Sequence, residues 1–160
     1  MVGQGDPDLE ASLVAAVHAF RGRVAVRLAF DPPLSRRVYG GADFVFVPSR
    51  FEPCCLTQMY AMRYGAFPIV TDVGGLHDSV EPIDVATDRG TGLVAPYAEV
   101  GALRLAMRDA FALFGAPDAR SRAQVRAMTT DFSWELPARR YESVYDDAVA
   151  VTKLQGIAGK

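Results

Sequence analysis

Two short apolar runs without polar interruption, Phe44-Val45-Phe46-Val47 and Phe67-Pro68-Ile69-Val70, bracket a segment of helical periodicity. Four apolar residues that do not alternate with polar ones suit a strand buried on both faces, as in a parallel sheet. Parallel neighbours need a crossover, and the helix expected from about Cys55 to Tyr64, stopped by Gly65, supplies it. This one unit, strand, helix, strand, already restricts the chain to an α/β architecture.

The flanking sequence repeats the alternation. Asp6 caps a first helix with Pro7 in its first turn, and Leu9, Leu13, Val17 and Phe20 lie along one face until Gly22 stops it. Val24 to Ala29 reads as a short strand ending at Phe30-Asp31-Pro32-Pro33. A brief helix from Leu34 to Tyr39 ends at Gly40-Gly41. Past Val70, Gly74-Gly75-Leu76 opens a short helix ending near Glu81-Pro82, and Gly92-Leu93-Val94 is a fourth strand. Helices follow from about Ala98 to Phe114, from Pro117 to Met128, and through Tyr141, Val144, Tyr145 and Val149. The expected fold is a doubly wound, Rossmann-like parallel sheet in a single domain over residues 1–160. Phe111, Phe114, Trp134, Tyr141 and Tyr145 are expected to serve as core or helix-packing residues.

Composition excludes several functions. With 22% charged residues and a net charge of -2, the 160-residue chain is not basic enough to suggest nucleic acid as its main partner. No apolar run is long enough to span a membrane. The two cysteines, Cys54 and Cys55, are adjacent and cannot staple distant segments, so free thiols in a reducing compartment are expected. His18 and His77 are not spaced as metal ligands with them.

The richest stretch is Pro48 to Gly65, where the first apolar run hands over to its helix. In open α/β sheets phosphorylated ligands bind at the carboxyl ends of strands, facing helix N-termini. Glu52, Pro53, Leu56 and Thr57 fall at such a corner. Taken singly, these residues have ordinary explanations. A carboxylate near a helix start is favoured by the helix dipole, and a Thr can bond its own backbone. Gly74-Gly75 suits a tight turn, but also close backbone approach to a ligand at the same end of the sheet.

The run Gly41-Ala42-Asp43-Phe44-Val45-Phe46-Val47-Pro48-Ser49-Arg50-Phe51-Glu52-Pro53-Cys54, with Leu56-Thr57-Gln58 and Tyr60 to Gly65, closely resembles the bacterial glycogen synthase and plant starch synthase family. Gly74-Gly75-Leu76, Gly90-Thr91-Gly92 and Asp131-Phe132-Ser133-Trp134 extend the resemblance in family order over nearly the whole chain. Members are retaining glycosyltransferases of GT-B architecture, two Rossmann-like domains with the active site between them. The resemblance implies that this chain is an incomplete C-terminal, nucleotide-sugar-binding domain. It implies transfer of glucose from ADP-glucose or UDP-glucose to an α-1,4-glucan with retention, no metal or cofactor, and a cytoplasmic or, in a plant, plastid setting.

Roles carry over by position. Glu52 matches the glutamate that holds the donor glucose near the reacting centre. The backbone around Cys54, Cys55 and Leu56 is expected to face the sugar and distal phosphate, with Thr57 binding that phosphate. Phe30 falls at the aromatic position that stacks on the nucleobase. Tyr60 takes the place where related glycosyltransferases carry a glutamate for the ribose. Gly74, Gly75 and Leu76 are expected to line the sugar side.

Two departures accompany the resemblance. Cys55 replaces a family glycine where backbone approaches the donor, so its β-carbon and thiol are expected to crowd the sugar or disturb the turn. Val2-Gly3-Gln4-Gly5-Asp6 resembles the Gly-x-Gly-Asp turn that ends the domain's second strand, which implies that the preceding strand, its basic loop and the N-terminal domain are absent. The edges left open are expected to make the isolated chain poorly stable or oligomeric. Two roles therefore remain open: a piece of a glucosyltransferase, or a non-catalytic nucleotide- or glucan-binding module that needs a partner chain.

Overall fold

The computed structural model of the chain describes residues 1–154. They fall into two compact units, Met1–Thr129 and a second beginning at Thr130.

The first unit is built on three parallel strands, β1 (Phe44–Val47), β2 (Phe67–Thr71) and β3 (Leu93–Ala95), in the order β1-β2-β3. Phe44 pairs with Phe67 and Val47 with Val70, while Ile69 pairs with Leu93 and Thr71 with Ala95. Helices α1 (Pro7–Ala19) and α2 (Pro32–Gly41) precede the sheet. Helices α3 (Thr57–Arg63) and α4 (Gly74–Ser79) follow β1 and β2, and α5 (Val100–Phe114) and α6 (Pro117–Thr129) follow β3. The α/β reading with parallel strands holds.

Successive residues of a strand point to opposite faces, and β2 shows this directly because all five of its residues are buried. Phe67 and Ile69 join a cluster with Leu93, Ala95, Leu113 and the alanines 102, 106 and 110 of α5. Those alanines recur every four residues, a smooth stripe that lets α5 lie close against the sheet. Val70 faces the other way, into a cluster with Val47, Met62, Leu76, Val80 and Ala127. Helices therefore cover both faces of β2.

Three expectations need correction. The Val24–Ala29 segment is not a strand of the sheet. It forms a single parallel bridge, Val2 to Arg27, with Gly3 N–H donating to Arg27 O and Arg27 N–H to Met1 O. A strand exists only through its partners, and among the described residues this segment finds them only at Met1–Gly3. β1 is not buried on both faces: only Val47 is buried, and Phe46 is 46% exposed. Phe111 is not a core residue either, because the alanine stripe turns its side of α5 outward and leaves it 71% exposed, whereas Phe114 flanks the stripe and packs its ring 6.3 Å from that of Phe44.

In the second unit, α7 (Glu135–Leu154) carries Tyr141 and Tyr145 one turn apart, with ring centroids at 6.4 Å. Neither these tyrosines nor Trp134 is buried, so the expectation of a core role fails for them as well. Among the described residues no helix is long and apolar enough to cross a membrane.

Candidate active site at the carboxyl edge of the sheet

Because β1 and β2 are parallel, the loops leaving them emerge on the same edge. The loop after β1 carries Glu52 to Leu56, and the short turn after β2 leads into Gly74-Gly75. These corners are in direct contact. Gly75 N–H donates to Glu52 O at 3.2 Å. A β-carbon on Gly74 would lie 1.9 Å from Glu52 O, and one on Gly75 would lie 2.2 Å from Cys54 O. Gly74 also has φ +43°, so both space and backbone conformation require glycine there. The two glycines are packing necessities before they are anything else.

The Glu52 loop is held from several sides. Ser49 Oγ donates to the Glu52 carboxylate at 3.4 Å, and Thr71 Oγ1 donates to Ser49 O from the end of β2. Cys55 has φ +62°, in the left-handed region that a β-carbon disfavours. The turn thus has the backbone conformation that favours glycine, with cysteine in its place. The Cys55 side chain is partly buried and packs against the cluster of Val47, Met62 and Leu76, so its misfit is first one of backbone conformation. Cys54 is exposed.

Thr57 is the first residue of α3, preceded by Leu56, which supplies no side-chain cap. The same is true of α4 and α5. By contrast α1 and α2 are capped by Asp6 and Asp31, whose carboxylates accept from the first-turn amides. All three helices that follow a sheet strand thus present first-turn amides without a side-chain acceptor, on the edge where an anion would approach.

Phe30 and Tyr60 are distant in sequence and meet at one cavity of about 460 Å³, together with Tyr39, Tyr64 and Arg36. Phe30 is 86% exposed, so its ring face is free to stack. The Tyr39 ring lies 6.1 Å from those of both Tyr60 and Tyr64, edge-on to the first and stacked on the second. The sequence reading missed Tyr39, Tyr64 and Arg36. The available signal was spacing: Arg36 and Tyr39 are three apart on α2, and Tyr60 and Tyr64 are four apart across α3, so each pair shares a helix face. Leu76 needs a narrower role than expected. Its side chain is fully buried among Val47, Met62 and Val70, leaving only main chain for the cleft side.

His77 on α4 bonds through Nδ1 to the Asp72 carboxylate just beyond β2. That hydrogen bond, followed by the charge of Asp72, raises the imidazole above its ordinary value. Elsewhere, Arg122 and Arg126 both reach Asp88 and hold its carboxyl below the usual range, the Arg122 hydrogen bond contributing most. Among the described residues no group of three His, Cys, Asp or Glu side chains is placed to hold a metal ion.

The chain is 46% identical over 149 residues to the glycogen synthase of Acidiphilium cryptum, a match covering 91% of the chain and 31% of that protein. It is 43% identical over 150 residues to the glycogen synthase of Myxococcus xanthus, covering 93% and 30%. Over nearly its whole length the chain is similar to part of these glycogen synthases. Among solved structures, the catalytic domain of starch synthase IV from Arabidopsis thaliana, bound to ADP and acarbose, superposes with TM-score 0.77 at 33% identity, covering 93% of this chain and 32% of that one. A sucrose-phosphate synthase from Thermosynechococcus elongatus matches with TM-score 0.62 at 26% identity, covering 94% and 38%. No protein-family model matches the chain. The chain spans about 31% of the length of its glycogen synthase relatives.

Proposed function

We propose that this chain is the donor-binding part of a retaining glucosyltransferase, in which glucose passes from ADP-glucose or UDP-glucose to the non-reducing end of an α-1,4-glucan. The observation that carries this reading is the contact between the Glu52–Leu56 loop and Gly74-Gly75, set beside the cavity of Phe30 and Tyr60. A nucleotide sugar has three parts, and this edge offers a surface for each. The exposed Phe30 ring stacks on the base, with Tyr60 on the ribose side. The amides opening α3 and the Thr57 hydroxyl receive the distal phosphate. Glu52, with the main chain of Cys54, Cys55, Leu56 and the Gly74–Leu76 turn, receives the glucose.

In this reading Glu52 touches the donor sugar and is the catalytic residue of the chain. Negative charge that builds on the departing diphosphate is stabilised by fixed amides and the Thr57 hydroxyl, donors that need no reorganisation during reaction. The acceptor glucan and the remaining catalytic groups belong to the other domain of a synthase. The setting is the bacterial cytoplasm, or the plastid if the source is a plant.

Calorimetric titration of the chain with ADP and ADP-glucose tests the reading, with UDP-glucose alongside. Saturable binding that Thr57→Val weakens is expected, and failure of all three to bind refutes it. A radiolabelled donor with a glycogen primer then separates transfer from binding alone. Donor uptake without label in glucan assigns the chain the role of a binding module.

A further inference from the structure

Gln58 is the most unusual side chain near the site. It is completely buried, yet polar, and lies on α3 immediately after Thr57. Its Nε2 faces Cys55 O at 3.0 Å, Cys54 O at 3.4 Å and Ser79 Oγ at 2.9 Å. The two carbonyls can only accept, so the amide nitrogen must be the end that points at them. Ser79 Oγ in turn donates to Gly75 O. Gly75 N–H returns to Glu52 O, which closes a ring of hydrogen bonds through both corners of the site. Gln58 Oε1 is buried and has no hydrogen-bond partner among the described residues. Burying an amide with one end unsatisfied is unfavourable, so filling space does not account for a glutamine here.

We propose that Gln58 is a positioning residue that sets the Glu52–Cys55 turn against the Gly75–Ser79 helix, and so sets how the sugar-diphosphate half of a donor fits. The proposal rests on the donor-site reading above. Gln58 touches no ligand in this scheme. It acts through the Cys54 and Cys55 carbonyls and through Ser79.

The test compares Gln58→Met, which keeps volume and loses both donors, with Ser79→Ala and Ser79→Thr. Two measurements are made on the full chain. The first is the affinity for ADP-glucose and for AMP, which lacks the distal phosphate and sugar. Gln58→Met is expected to lose tenfold or more for ADP-glucose and less than about twofold for AMP. Ser79→Ala should repeat this pattern and Ser79→Thr should restore it. The second is amide hydrogen exchange: Gly75 should exchange at least tenfold faster in Gln58→Met, while Ile69 in β2 keeps its protection. A wild-type chain that binds neither nucleotide overturns the donor-site reading. Wild-type binding with equal losses for both ligands, or none, overturns the role of Gln58 alone. The exchange measurement needs no ligand, and unchanged protection of Gly75 in Gln58→Met also overturns that role. A Gln58→Met chain that does not fold leaves the decision to Ser79→Ala, where an unaltered ratio of affinities and unaltered Gly75 exchange count against the proposal.

Discussion

Replacing Gly75 by alanine inserts one methyl group where two main chains touch. The new β-carbon falls 2.2 Å from Cys54 O, 2.5 Å from Cys54 Cα and 2.6 Å from Cys54 C, all backbone atoms with no rotamer to escape into. Reaching even 3.0 Å, the closest approach real β-carbons tolerate, displaces one corner from the other by at least 0.8 Å. The Gly75 N–H to Glu52 O bond is already 3.2 Å, at the long end of the normal range, and does not survive such a shift. The longer of the Gln58 bonds, 3.4 Å to Cys54 O, is lost with it. Two hydrogen bonds at about 1 kcal/mol each, with roughly 1–2 kcal/mol of overpacking, give a loss of about 3–4 kcal/mol. For a urea slope of about 2 kcal/mol per molar, the midpoint falls by roughly 1.5–2 M. Gly101→Ala in α5 is the control, because a β-carbon there meets nothing within 4 Å. That variant should gain up to about 0.5–1 kcal/mol from reduced backbone freedom in the unfolded chain. Urea unfolding followed by circular dichroism reads both. A Gly75→Ala midpoint within about 0.3 M of wild type refutes the claim that the corners are in contact.

Three further outcomes follow from the same structure. Cys55→Gly relieves a left-handed residue worth roughly 1–2 kcal/mol against about 0.4–1 kcal/mol of added unfolded-state freedom, and lost thiol packing trims the difference. The stability order should be Gly, then Cys, then the β-branched Cys55→Val, and urea midpoints in the reverse order reject the strain. The Asp88 carboxyl is held low when folded, by Arg122 first and Arg126 next. Its contribution is present above the unfolded value near 3.8 and lost as pH falls through the lower folded value. Asp88→Asn, which tolerates the positive φ of +54° that Asp88 adopts, should flatten the acid limb of the unfolding profile, and an unchanged limb contradicts the pairing. His77 is raised by Asp72, so its contribution is complete below the unfolded value of 6.5 and lost as pH rises through the folded one. The imidazole resonances should titrate above 6.5 and return toward it in Asp72→Asn; coincident curves dismiss the bond.

The parts of the fold that the sequence predicts are those set by local chemistry. β2 was legible because five successive residues are buried, leaving no competing polar face. The Asp6 boundary follows from acid-then-proline spacing, and its side chain does accept from first-turn amides; the same spacing at Asp31-Pro32 starts α2 two residues before the expected Leu34. Val24–Ala29 has the composition of a strand, but its pairing depends on what lies beside it, which no local pattern encodes. Phe111 of α5 misleads for a related reason. Hydrophobicity says that Phe111 can be buried, whereas the alanines every four residues say which side of the helix is buried. Periodicity is a better guide than size here.

The candidate site divides along the same line. Glu52, Thr57 and Gly74-Gly75 have ordinary explanations taken singly, and they stand out only through the family resemblance of the run that carries them. Gln58 does not stand out even then, since a glutamine in a helix is ordinary until its burial is known. Its importance arises from Ser79, twenty-one residues away, and from two carbonyls whose donors must come from somewhere. The same holds for Cys55. As a residue type it is unremarkable, and as a residue at φ +62° it marks where the chain has accepted strain. Strain of this kind persists only where surrounding contacts over-determine the backbone. Here those contacts are the glycines of the second corner on one side and the Gln58 amide on the other. The β1 loop is therefore shaped less by its own sequence than by the corner it leans against. Any account of how this edge receives a ligand has to treat the two as one element.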